Sequence, residues 1–179
     1  MNNSLLKISI VAIATHLLLI FFGPYIVMNQ LDRNIADAIA NPFEGCEDTY
    51  DGIVGNLDQV CISRRSAARM PNYDFIYTMC RYDLSNGDLY VSMPVPEDER
   101  YWVVHVHNNN TNVAFKINNL EIESDRYELL VTNKENINSS LKTIRTTDQG
   151  TVFWRLLVNT AEEIDILDNQ RRTTVCEYR

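Results

Sequence analysis

The stretch Tyr101–Asn110, YWVVHVHNNN, places His105 and His107 two residues apart in a run with the composition of a β-strand. Side chains alternate along a strand, so residues i and i+2 project from the same face. Two neighbouring imidazoles could begin a zinc or iron site, which needs at least one further His or carboxylate. The third histidine, His16, lies in an uncharged apolar segment near the N-terminus, and no carboxylate stands at a ligand-like spacing from the pair. The pattern therefore favours two polar residues on the outer face of a strand whose other face buries Trp102, Val104 and Val106.

Other chemistry is weaker. Glu47–Gly52, EDTYDG, followed by Asp58, resembles a calcium loop, but Thr49 and Asp58 stand where such a loop wants Asp or Asn and Glu. An acidic loop is the better reading. There is no G-x-S-x-G, phosphate loop or dinucleotide fingerprint, so no cofactor is expected. A Cys–His nucleophile pair needs a free cysteine. The even set of four (Cys46, Cys61, Cys80, Cys176) reads most simply as two disulfides, and without a CxxC there is no support for a thioredoxin-like site or a zinc knuckle. Arg64, Arg65 and Arg69 form one basic cluster, read as a solvated turn. Asn109 and Asn138 begin sequons, read as coincidence.

The elements that must position these residues start with a membrane segment. Ile8–Met28, ISIVAIATHLLLIFFGPYIVM, has no formally charged side chain. Twenty-one residues rise about 31 Å as a helix, close to the roughly 30 Å hydrocarbon core. The nearest small-residue cleavage triplet, Ala38-Ile39-Ala40, lies beyond three charged residues, so an uncleaved anchor is expected rather than a signal peptide. His16 within it would face a partner helix or be tolerated as a single neutral imidazole. Lys7 and the start amine on the short side, with every cysteine on the long side, predict an N-in, C-out arrangement. Of 16 basic residues only Lys7 precedes Asp32, whereas all 24 acidic residues lie from Asp32 onward, a net of −9 for that part (15 − 24). Such a surface repels phosphate backbones, which disfavours nucleic acid.

Residues 32–72 read as a neck, with Asp32–Ala40 continuing the membrane helix up to Pro42, Asn41–Asp58 as loop, and short helices in the remainder. From residue 73 strands alternate with turns. Asp74–Leu84 and Leu89–Met93 flank Asn86-Gly87, a hairpin signal. Further strands are expected in Tyr101–Asn110, Val113–Ile117, Tyr127–Val131, Lys142–Thr147 and Thr151–Val158, with Gly150 turning a hairpin between the last two. Thr160 and Glu163 fit a capping box for a terminal helix with Ile164 and Leu167 on its apolar stripe, acids first and Arg171 and Arg172 last. The predicted architecture is a mainly β domain of about seven strands (antiparallel sheet or sandwich) over 73–179 with one C-terminal helix. A neck over 32–72 and a single transmembrane helix within 1–31 precede it.

Met79–Asn119 resembles the bacterial domain-of-unknown-function family 1254 in its short, single-span form. The matching positions are Cys80, Arg81, Tyr82, Asp83, Leu84, Gly87, Pro94, Tyr101, Trp102, Asn112, Ile117 and Asn118, followed by Arg155 in GTVFWRLLV and Cys176 near the C-terminus. Asp88 replaces the family's proline, and Asn118-Asn119 its Asn-Asp. Four cysteines allow three pairings. The resemblance implies Cys80–Cys176, since both fall on family positions, and leaves Cys46 with Cys61. It also implies the bacterial inner membrane with the domain in the periplasm, and a neighbour carrying a family 1214 domain. Binding or scaffolding another envelope component is the expected role. A metal-dependent envelope enzyme using His105 and His107 is the competing one.

Overall fold

The computed structural model describes residues 3–40, 52–53, 60–61, 75–122, 124–135 and 137–179. The uncharged run folds as expected: α1 (Asn3–Ala40) is one helix of 38 residues. It ends ahead of Pro42, whose ring disfavours helix in the preceding residue. Within it Ser4–Gln30, 27 residues, is long and apolar enough to cross a membrane. Leu5, Ile8, Val11, Leu19 and Phe21 all lie more than half exposed, a surface that lipid solvates and water does not. In the segment read as a neck, β1 (Gly52–Ile53) and β2 (Val60–Cys61) pair antiparallel, where a loop and short helices were expected.

The remaining strands are β3 (Phe75–Asp83), β4 (Leu89–Pro94), β5 (Trp102–Asn108), β6 (Val113–Asn118), β7 (Arg126–Thr132), β8 (Lys142–Arg145), β9 (Gln149–Leu157) and β10 (Val175–Tyr178), with α2 (Ile164–Arg171) before the last. They make two four-stranded sheets, β3-β9-β5-β6 and β10-β4-β7-β8. All pairings are antiparallel except β7–β8, which is parallel. Period-two alternation decides which side chains go inside. Ile76, Cys80, Trp102, Val104, Val106, Val152, Trp154 and Leu156 of the first sheet share one buried cluster with Leu89, Val91, Met93, Leu129, Val131 and Ile144 of the second. Leu167 of α2 joins the same core. The result is the mainly β, sandwich-like fold the sequence predicts, stapled by a Cys80–Cys176 disulfide (Cα–Cα 6.2 Å) between β3 and β10. The Cys46–Cys61 pairing lies outside the described residues.

Both expected hairpins are replaced by crossings between sheets. β3 pairs with β9, and β4 with β7 and β10, so Asn86-Gly87 joins two sheets instead of two neighbours. Leu84–Asn86 form a 3-10 turn, and the Asp83 carboxylate caps it by accepting from the Ser85 N–H at 3.0 Å. Gly87 has φ +128°, and a Cβ there would stand 2.9 Å from the Arg179 carbonyl oxygen. Asp88 and Arg179 exchange two backbone hydrogen bonds, which ties this corner to the C-terminus. Gly150 likewise lies inside β9, not in a turn. The Tyr82 hydroxyl passes over it to donate to the His107 carbonyl at 2.9 Å, and any Cβ at 150 would collide with both. Burial pushes the Tyr82 phenol up to about 12.

The capping box is also modified. Ala161–Glu163 form a 3-10 turn ahead of α2, and the Glu163 carboxylate accepts from the Asn159 N–H, one residue earlier than a capping box requires. It is drawn there by Arg100, which donates to the same oxygen at 3.1 Å. β10 had no sequence signal of its own, being four residues after a helix.

Candidate functional site

The histidines lie as their spacing predicts. His105 and His107 project from the outward face of β5, with ring centroids 5.7 Å apart, while Trp102, Val104 and Val106 are buried behind them. Their surroundings come from the register. Met79, Phe153, His105 and Lys116 form one cross-strand row; Arg81, Thr151 and His107 form the next. Arg155 and Val103 lie in the row on the other side of His105. The His107 ring meets Phe153 edge to face at 5.3 Å, and its Nδ1 lies 3.3 Å from the Thr111 carbonyl.

Two properties set this face apart. It is partly dehydrated, since Met79, Val103 and Thr151 are buried although they point outward. Among the described residues its strands bring basic side chains beside the imidazoles, Arg81, Arg155 and the exposed Lys116, in a domain whose net charge is negative. The single outward carboxylate of these strands is Asp83 at the end of β3, which is engaged by Ser85 and by Gln149 at 2.8 Å. Burial, then the charges of Arg155 and Lys116 and the neighbouring His107, push His105 down to about 4. Burial and Arg155 also lower His107, against a raising contact to the Thr111 carbonyl. Both rings are therefore neutral at pH 7, able to donate from one nitrogen and accept at the other. No group of three His, Cys, Asp or Glu side chains converges on them or elsewhere among the described residues.

The turn after β5 is unusual. A bulge shifts the β5–β6 register between Val106 and His107, and Thr111 sits at φ +70°, a left-handed conformation that a β-branched residue rarely adopts. Asn112 anchors this turn by accepting from the Asn108 N–H at 2.9 Å and donating its own N–H to the Asn110 side chain.

The other positions singled out in the sequence have structural duties. Asp83 and Gly87 build the corner between sheets. Trp102 fills the core at 2% exposure. Asn118 caps the Asn119–Glu121 turn by accepting from the Leu120 N–H at 3.0 Å. Only Arg81 and Arg155 reach the histidine face. Sequence reasoning missed Phe153 and Lys116 as members of it, because they arrive from β9 and β6 through a strand order that the linear sequence does not announce.

Comparison with known proteins fits this fold. The VPA0106 protein from Vibrio parahaemolyticus has a similar structure over 89% of the chain, with a TM-score of 0.58 at 13% sequence identity; the chain spans 36% of that protein's length. A putative uncharacterized protein from Burkholderia cenocepacia matches 51% of the chain and 28% of its own length at 16% identity, with a TM-score of 0.40. No curated protein matches the chain. Residues 56–177, about two thirds of the sequence, match the family model described as a protein of unknown function, and the chain belongs to this family, DUF1254.

Proposed function

We propose that the protein is a single-span component of the bacterial envelope whose sandwich lies on the periplasmic side of the inner membrane and acts by binding an acidic segment of another envelope protein. A protein carrying a family 1214 domain is the first candidate. The observation that carries the binding reading is Lys116, exposed on the outward face of the β5 sheet in the row of His105, on an otherwise acidic domain. Opposite charge across an interface steers encounter and excludes like-charged partners, and a partly dehydrated face screens those charges less than open water does. The exposed apolar helix supports the anchor, and the Cys80–Cys176 bridge supports an oxidising compartment.

Topology is tested by a reporter fused after Arg179. A reporter active only in the periplasm should be active, and activity of a cytoplasm-only reporter would contradict the placement. Metal analysis of the purified protein separates the binding reading from a metal enzyme. Stoichiometric zinc or iron that is lost on His105→Ala would overturn the binding reading.

A further inference from the structure

Where α1 leaves its apolar run, the sandwich meets it. A cleft of about 240 Å³ lies between Tyr25, Met28 and Asn29 of α1 and Asn109, Gln149 and Gly150 of the sandwich. None of these six side chains is charged. The side-chain carboxylates at this end of the sandwich are paired: Asp88 accepts from Thr132 and Lys134, Asp148 from Asn133, Glu135 from Arg145 and Glu177 from Arg179. Asp83 caps its turn, as described above.

The other end of the strands is different. Arg100 bonds the Leu157 carbonyl and Glu163, and the Val95 N–H donates to the Asp125 carbonyl, so these segments gather at the far end of β5 and β9. Here Glu97, Glu99, Asp125, Glu162 and Asp165 are all exposed, while exposed Asp98 is paired with Arg100. β9 runs nine residues from the cleft to this end, a separation of about 30 Å at strand rise. That exceeds three Debye lengths of about 8 Å at physiological salt.

From this geometry we infer that the Asn108–Asn112 turn and the start of β9 at Gln149–Gly150 face the lipid headgroup layer, and that the acidic end points away from the membrane. The inference rests on the reading of α1 as a membrane anchor. It resolves an electrostatic difficulty. A strongly acidic domain held at an anionic bilayer is repelled by it, unless its uncompensated charge stands beyond screening range. An uncharged amide-rich turn can hydrogen-bond headgroup phosphates and carbonyls without that penalty.

The test uses the full-length protein in vesicles of phosphatidylethanolamine and phosphatidylglycerol. The photocrosslinker p-benzoylphenylalanine is installed in turn at Thr111, Asn112 and Glu99, all exposed positions. Lipid adducts should form at Thr111 and Asn112 at least fivefold more than at Glu99. Equal adducts at all three positions, more at Glu99, or none anywhere while the protein resists an alkaline carbonate wash, would overturn the orientation and leave the anchor standing. Release of the protein by that wash would contradict the anchor itself, and the orientation with it.

Discussion

The two sheets bury similar inner faces and present opposite outer ones. On the second sheet charge is answered locally. Arg126 donates to the Ser92 hydroxyl at 2.8 Å and to the Thr173 carbonyl at 3.0 Å, the Tyr90 hydroxyl donates to Glu128, and the Arg179 guanidinium lies 3.5 Å over the Tyr90 ring. Asp88 is closed off by Thr132 and Lys134, with its carboxyl held below the usual range by those partners against the cost of burial. On the first sheet the row of His105 brings the exposed Lys116 beside apolar Met79 and Phe153, with no carboxylate in that row. A cation already paired has little left for a partner, whereas an exposed lysine beside apolar groups favours an acidic one. On this difference the proposed binding is assigned to the first sheet.

The comparison presupposes that the sheets are held together as described, and the largest effect tests that. Replacing Cys80 and Cys176 with serine removes a bridge spanning 96 residues, for which the chain-entropy model gives a loss of at most about 4–5 kcal/mol. Urea midpoints under oxidising conditions should fall accordingly, and the wild type with reductant should fall with them. A change below about 0.5 kcal/mol, the range of ordinary surface substitutions, would show that the bridge does not tie the sandwich.

A smaller loss is expected at Gly150, which links the sheet interior to the histidine strand. Gly150→Ala forces a methyl into the Tyr82 hydroxyl and the His107 carbonyl, at a cost of roughly 1–3 kcal/mol, as for overpacking elsewhere. Tyr82→Phe in the same background should recover part of the loss by clearing space. No recovery would mean that the contact with the His107 backbone dominates the strain.

The histidine face also predicts a pH dependence from an imidazole, a group that the strands of the second sheet do not carry. His105 titrates near 4 in the fold, below its ordinary value of 6.5, so acidification protonates the unfolded chain first. Stability conferred by the neutral ring is complete above pH 6.5 and is lost as the pH falls from 6.5 toward 4. The partial exposure of the ring keeps the slope well below the one-proton limit. Chemical denaturation across that range should show His105→Gln flattening the profile, and an unchanged slope would refute the assignment. The smallest effect belongs to the second sheet: Lys134→Ala removes a pair whose lysine is 61% exposed and should cost no more than about 1 kcal/mol.

These outcomes depend on features of uneven visibility in the sequence. The long apolar helix was legible because an uncharged run of membrane length stands out by composition alone, and the alternation in VVHVHN told which face His105 and His107 would share. Strand positions were legible too. Their partners were not. Asn86-Gly87 reads locally as a hairpin, yet Leu89 to Pro94 is buried on both sides, a central strand that pairs with β7 and β10 instead of its sequence neighbour. The parallel β7–β8 pair and the four-residue β10 depend on contacts between distant segments, which leave no periodic signal. For the same reason the cations of the site were visible as residues and invisible as a group.

The central claim is that binding belongs to the first sheet, and an equal charge reversal on each face tests it most directly. Lys116 lies exposed in the row of His105, and Arg145 is similarly exposed at the β8 edge of the second sheet. The full-length protein in detergent, titrated with fluorescently labelled polyglutamate, should bind at least tenfold more weakly after Lys116→Glu and within twofold of wild type after Arg145→Glu. The wild-type affinity should fall steeply with salt. Equal losses from the two variants, or a loss confined to Arg145→Glu, would contradict the account.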